Sequence, residues 1–244
     1  MFTKRIQVPM NALVHNVVFD TQFKIKQQYP YKTNIKEWLK PVIDLEDFYV
    51  YPINGITGGL DYWASRERKG IFQNNGDYEW VMQTGNDIQY ISVPSSIDGN
   101  FTDVPQDVPV ALDIAYVGTT AINKIEVPSN VEKVFYSLSK PFGIQNARTG
   151  WYFTRRPDSR LHKLTYEAEY YNYYAHAIAE RLIENFAIDY TYNYYVSKQT
   201  AICKEHNLTP SDSVWLATSK DEKYKDFVRA NNTARLCLCE GMKW

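Results

Sequence analysis

The 244-residue sequence is poor in cysteine, with only Cys203, Cys237 and Cys239. Three thiols make a poor disulfide framework for a chain of this length, so a reducing cytoplasm is the expected setting. Asn-x-Ser/Thr matches such as Asn207-Leu208-Thr209 then carry no glycosylation meaning. Histidine is scarce as well, with four scattered residues. Cys237 and Cys239 have no second CxC or CxxC pair to complete a zinc site, so no metal is expected. Excess charge is missing too. A net charge of -1 gives no electrostatic reason to expect nucleic acid or an anionic membrane as partner. Apolar runs long enough to span a bilayer are absent, and Met1-Phe2-Thr3-Lys4-Arg5 is not followed by a signal-peptide core. Low-complexity linkers and repeats are absent as well.

What is present suits one large domain with a small appendage. Residues 34–43 (NIKEWLKPVI) have helical spacing, interrupted at Pro41, and Phe48–Tyr51 has a strand pattern. A glycine turn, Asn54-Gly55-Ile56-Thr57-Gly58-Gly59-Leu60, follows, with a helix expected from Leu60 to Arg66. Short apolar runs at 71–73, 88–93, 108–113 and 133–137 suit buried parallel strands. Asp158-Ser159 reads as a helix start opening a long helix from about Arg160 to Phe186. Another helix is expected near Tyr194–His206, and strand-like pieces at 213–218 and 234–239. The class is α/β, with a mostly parallel central sheet, flanking helices and a small C-terminal α+β lobe. The expected divisions are an N-terminal helical segment (1–44), a large domain (45–186) and a lobe (187–244).

Lys140 stands out from the other lysines. Small hydroxyl residues flank it in Ser137-Leu138-Ser139-Lys140, and a glycine turn and Arg148 follow. A lysine amine can form a Schiff base with an aldehyde, the linkage that holds pyridoxal 5'-phosphate (PLP). The phosphate of that cofactor calls for hydroxyls, N–H groups at a helix start and a bidentate arginine. Ser137, Arg148 and the turn at 55–58 offer all three. The ordinary alternative for Lys140 is an exposed lysine in a strand-to-loop connection. Asp113 ends an apolar run, so it belongs at the carboxyl end of a buried strand, where open α/β sheets bind ligands. There it can pair with a pyridine nitrogen, with Tyr116 near the phenolic oxygen. It can equally cap the next helix.

In the stretches NGITGGL, DIAYVG and SLSKPFGIQNARTG the chain resembles the class I/II aminotransferases, the fold-type-I PLP-dependent enzymes. The match covers roughly residues 45–155 and, more loosely, ARLCLCEG. The resemblance implies that Lys140 is the Schiff-base lysine and moves the proton at the substrate Cα. It implies that Asp113 binds the pyridine nitrogen and Tyr116 the phenolic oxygen. Ser137, Arg148 and the backbone at Gly55, Ile56 and Thr57 would hold the phosphate. Tyr78 falls where the family stacks an aromatic ring on the cofactor, with Trp80 as the competing choice. Arg235 falls where the family grips the substrate α-carboxylate. A homodimer is implied as well.

The chain departs from the family where it places Asn-Pro-Thr-Gly. The run here is Pro94-Ser95-Ser96-Ile97-Asp98-Gly99, so Ser96 takes the asparagine's place with a shorter donor. Only 55 positions separate Gly58 from Asp113, so the chain reads as an unusually short member. Tyr166, Tyr170, Tyr171, Tyr173 and Tyr174 read as packing, a subunit interface included, and His176 as core or interface. The expected activity is transfer of an amino group between an amino acid and a 2-oxo acid. The alternatives are a PLP-dependent lyase, decarboxylase or racemase on the same fold, and a catalytically silent interaction protein.

Overall fold

Strands 3 and 4 of the chain explain the architecture. Every residue of Ile88–Ser92 and of Val110–Asp113 is buried, so helices must cover both faces of the sheet they enter. The computed structural model describes residues 2–4, 6–24 and 31–242, with the backbone alone over 22–24. The first half of the chain forms α1 (Ala12–Lys24), α2 (Ile35–Leu39), β1 (Tyr49–Pro52), α3 (Gly55–Ala64), β2 (Ile71–Gln73), β3 (Ile88–Ser92) and β4 (Val110–Asp113). Then come β5 (Val131–Tyr136), α4 (Ser139–Phe142), β6 (Trp151–Thr154), α5 (Ser159–His162), α6 (Tyr173–Asn185) and α7 (Tyr190–His206). The chain closes with β7 (Thr209–Pro210), β8 (Leu216–Ser219), β9 (Val228–Ala230) and β10 (Thr233–Cys237).

The six-stranded sheet has the order β1-β6-β5-β4-β3-β2. Strands β2 to β5 run parallel, while β6 is antiparallel to both of its neighbours. The sheet is therefore parallel at its centre and mixed overall. One face packs under α1, α2 and α6 in a core that includes Leu39, Leu112, Val134, Phe153 and Leu182. Ile35 and Leu39 are fully buried there, worth about 2 kcal/mol each. The other face lies under α3, with Leu60 and Trp63 packed on Tyr90, Ala111 and Phe135.

The lobe is a four-stranded antiparallel sheet, β7-β8-β10-β9, with α7 on it and its own core around Trp215, Leu216 and Leu236. Trp215 Nε1 donates to the Lys140 carbonyl at 2.8 Å, and Thr119 and Ser213 share a hydroxyl contact of 2.8 Å. The lobe thus grips the turn that carries the singular lysine.

Several expectations shift. Helix α3 begins at Gly55, within the glycine turn rather than after it. The long helix expected over 160–186 is broken. Asp158 caps the short α5, a π-helical turn follows over Lys163–Glu167, and Asn172 caps α6 through its bond from Ala175 N. Glu169 lies between them at φ 52, which a continuous helix does not allow. β6, β7 and β9 have no counterpart in the sequence reading. Of the expected N-terminal helical segment, α1 and α2 are present, and residues 25–30 lie outside the described residues. No helix among the described residues is long and apolar enough to cross a membrane.

Candidate active site

The carboxyl ends of β3, β4 and β5, the first turn of α3, the α4 turn and the β9–β10 hairpin converge on one cavity of about 340 Å³. Crossover connections leave this end of a parallel sheet open, which is why ligands settle there. Two other cavities, of about 380 and 630 Å³, lie against α6. The smaller site is singled out by its chemistry, because Lys140, Asp113, Tyr116, Ser137, Arg148 and Arg235 all line it.

Asp113 is the last residue of β4 and is almost fully buried. One carboxylate oxygen accepts from Tyr90 Oη at 2.6 Å and the other from the N–H of Ala115 at 2.8 Å. Burial pushes its pKa up to about 7, with nearby Asp77 adding to the shift, against the opposing effect of those two hydrogen bonds. A carboxyl so poised takes on charge readily once a cation sits opposite it. Tyr116 follows at the end of the same connection. It is buried, and burial pushes its hydroxyl up, so that it stays a proton donor.

Lys140 sits in α4, a single turn that begins three residues after β5 and ends at Gly143, whose φ of 69 closes it in the left-handed region. The lobe pins its carbonyl, and burial pushes its ammonium below the usual lysine value. Cys237 and Cys239 are buried nearby, and the hydrogen bond between the two thiols, with burial, pushes Cys239 up.

Arg148 has φ 56, a left-handed conformation that turns its side chain back over the start of α3. Its Nη2 donates to the Asn54 carbonyl at 2.9 Å. Gly55, at φ 71, is required here, since a Cβ would lie 2.7 Å from Arg148 Nη2. Asn54 makes no side-chain cap, so the N–H groups of Ile56 and Thr57 in the first turn lack intrahelical acceptors. An uncapped helix start beside a guanidinium is a ready anion site.

Tyr78 and Trp80 are separated by exposure. Gln73 clamps the Tyr78 backbone with two 3.0 Å bonds, and its hydroxyl contacts Thr57 Oγ1 at 3.1 Å. Its ring stacks against Tyr90 with centroids 6.4 Å apart. Trp80, by contrast, is 62% exposed at the mouth.

Ser96 lines the cavity, yet its hydroxyl donates to Asp77 at 2.7 Å. Asp77 is buried and also accepts from the hydroxyl of Ser92 at 2.5 Å and its N–H at 3.2 Å. Arg235 is buried on β10. Its Nη1 donates to the Ser96 carbonyl at 2.5 Å and its Nη2 to the Lys4 carbonyl at 3.1 Å. Its Nε has no partner, and no carboxylate pairs with it among the described residues.

The cavity lining thus brings together Ile56, Thr57, Tyr78, Trp80, Ser96, Asp113, Tyr116, Ser137, Lys140, Arg148 and Arg235, with Gly55 just behind it at the start of α3. It also holds polar residues that were not singled out, among them Tyr90, Ser92 and Arg229, and Asp77 lies behind Ser92 and Ser96. Ser92 pairs with Asp113 in the sheet register, so Tyr90, two residues earlier, shares a face with Asp113. That signal needs the strand register, which the sequence alone does not give.

No protein-family model and no curated protein matches the sequence. Solved structures do resemble it. The aromatic aminotransferase from Pyrococcus horikoshii superposes with a TM-score of 0.69 at 11% identity, over 96% of this chain and 88% of that one. The PLP-bound C-S lyase from Staphylococcus hominis gives 0.67 at 10%, over 99% and 88%. Histidinol-phosphate aminotransferase from Sinorhizobium meliloti, in complex with PLP, gives 0.62 at 13%, over 96% and 84%. Identities this low speak for architecture alone, and on architecture the chain has the fold-type-I fold shared by these aminotransferases and C-S lyases.

Proposed function

We propose that this chain is a PLP-dependent enzyme that moves an amino group between an amino acid and a 2-oxo acid. The observation that carries the reading is Asp113, a buried carboxyl held near 7 at a strand end, in one cavity with a half-buried lysine amine. The residues present fit the cofactor. No cation among the described residues touches Asp113, Gly55 lets the Arg148 guanidinium approach where a Cβ would lie, and the start of α3 offers N–H groups without intrahelical acceptors beside it.

When bound, PLP supplies an electron sink conjugated to the substrate Cα. The chain does the rest. Lys140 Nζ would hold the cofactor by its aldehyde carbon, and its lowered pKa favours the neutral amine that this bond requires. As a free amine the same Nζ would take the proton from the substrate Cα and return it at the cofactor carbon that had been bonded to Lys140. Asp113 would meet the pyridine nitrogen as a carboxylate and keep it protonated. Tyr116 would donate to the phenolic oxygen. Ser137, the N–H groups of Ile56 and Thr57 beside Gly55, and Arg148 would hold the phosphate. Tyr78, clamped and shielded, is the better candidate for the stacked ring than exposed Trp80. The Ser96 hydroxyl donates to Asp77, so it would not be the donor to the phenolic oxygen that the asparagine of the family supplies.

Arg235 would bind the substrate α-carboxylate. Two backbone carbonyls fix its plane and leave Nε–H and the outer Nη hydrogens for a ligand. Arg235→Lys should raise the KM for amino acids about 10–100-fold, because an ammonium keeps the charge and loses the fork. PLP affinity should hold, and Tm should fall by only a few degrees, since one backbone bond worth about 1 kcal/mol is lost. Steady-state kinetics with normal KM values would remove Arg235 from this role.

The homodimer belongs to the same proposal. Tyr166 is packed, with its hydroxyl donating to Val50 O at 2.8 Å, but Tyr170 and Tyr174 are 80% and 68% exposed on the same tyrosine-rich segment. Exposed aromatics of this kind suit a subunit contact. Light scattering at micromolar concentration should give twice the chain mass, and a particle of 28.5 kDa would end the idea.

Product analysis tests the reaction. With PLP, an amino acid and a 2-oxo acid, the amino group should appear on the acceptor. The likeness to a C-S lyase makes elimination the second reading. Ammonia released with no acceptor present would favour it.

A further inference from the structure

The cations of the cavity outnumber the anions assigned to them. Under the reading above, Arg148 meets the phosphate, Lys140 the aldehyde carbon and Arg235 the α-carboxylate. Arg229 is left over. It lies on β9, half-buried, and lines the same cavity as Lys4, which adds a further positive charge. Its Nη1 stands 3.5 Å from the Ser96 carbonyl, the oxygen that Arg235 Nη1 already bonds at 2.5 Å. At that distance the first contact is marginal. The two guanidinium groups therefore sit within a few ångströms of each other, and Arg229 forms no ion pair among the described residues. Asp77 accepts three hydrogen bonds from Ser92 and Ser96, and Glu79 in the cavity lining is exposed, so both carboxylates act on Arg229 without pairing with it. Burial, and then the charge of Arg235, push the Arg229 pKa down, the signature of a cation held against a like neighbour.

Two converging arginines without an acid in direct contact among the described residues are costly until an anion joins them. Arg235 is the more buried of the pair and two backbone carbonyls fix its plane, whereas Arg229 is half-buried. Because both guanidinium groups approach the Ser96 carbonyl, Arg229 stands within reach of a short side chain on an amino acid seated by its α-carboxylate on Arg235. We propose that Arg229 is a specificity-determining residue that binds the side-chain carboxylate of a short dicarboxylic amino acid. This inference rests on the reading of the cavity as an amino-acid site.

The test is equilibrium binding of succinate and butyrate to the PLP-reconstituted protein by calorimetry, with kinetics for aspartate, glutamate and alanine alongside. Succinate should bind about 10–100-fold more tightly than butyrate, as a charge-assisted pair allows. In Arg229→Gln that preference should collapse to within about twofold, and in Arg229→Lys part of it should survive. Equal binding of the two acids by the native protein overturns the proposal. So does an Arg229→Gln variant that weakens both equally, which would give Arg229 a structural role or a share of the α-carboxylate. Binding of neither acid overturns it as well. Succinate preference without turnover of any amino acid would fault the transfer reaction and leave the anion subsite standing. Turnover of alanine with no dicarboxylate preference faults Arg229 alone.

Discussion

Lys140→Ala is expected to abolish turnover and to remove the visible absorbance that PLP acquires when a protein amine holds it. Both losses have one cause, since the bond to the cofactor and the movement of the Cα proton need the same nitrogen. Lys133, the nearest lysine in sequence, has its ammonium paired with Glu132 at 2.9 Å and Glu67 at 3.4 Å, outside the cavity lining. No second lysine side chain can therefore step in from β5. The fold should survive, because the contact that ties α4 to the lobe runs through the Lys140 backbone carbonyl and not its side chain. The variant should still take up some PLP non-covalently, through the start of α3 and Arg148. Retained activity in the alanine variant would place the chemistry on another lysine.

Asp113→Asn is expected to leave PLP bound and cut the rate by roughly two to four orders of magnitude. An amide cannot hold the pyridine nitrogen protonated, so the electron sink is lost at the atom that matters. Asparagine fits the site: its oxygen can accept from Ala115 N and its amide can donate to the Tyr90 hydroxyl. The same substitution has a second, activity-independent readout. Asp113 titrates near 7 in the folded chain and at about 3.8 when unfolded, so between these values the folded state holds a proton that the unfolded state releases. Its contribution to stability is therefore full below the unfolded pKa and is lost as pH rises from about 4 through 7. In the cofactor-free protein, the Tm of Asp113→Asn relative to wild type should climb between pH 5 and pH 8. His176, held down to about 4 by burial, slopes the other way, but equally in both proteins, and so cancels in the difference. A flat difference, or a near-normal rate in the variant, would remove Asp113 from the site.

These two residues were legible in the sequence because each ends or follows a short apolar run and carries a polar group where a buried strand should stop. The strands β3, β4 and β5 and the glycine turn were legible for the same local reason. β6 was not, because Trp151–Thr154 follows directly on Arg148-Thr149-Gly150 and reads as a continuation of that turn. The break between α5 and α6 was hidden because one aromatic pattern runs through both, and only the Asn172 cap marks the second start. Tyr90 and Asp77 acquire their meaning from register and long-range hydrogen bonds, which no local pattern encodes. Arg229 was missed for a different reason. A lone arginine at a hairpin is ordinarily a solvated charge, and what marks it out is sharing the Ser96 carbonyl with Arg235, a coincidence of the fold.

Borohydride reduction of the PLP-treated protein, followed by peptide mapping, tests the central claim most directly. Reduction makes the bond to the cofactor permanent, and the map reads where it lies without requiring a substrate. The expected result is one phosphopyridoxyl group per chain on the peptide carrying Lys140, absent from Lys140→Ala. A folded protein that takes up no label, or carries it on lysines spread over the surface and not on Lys140, would contradict the assignment of this cavity to PLP.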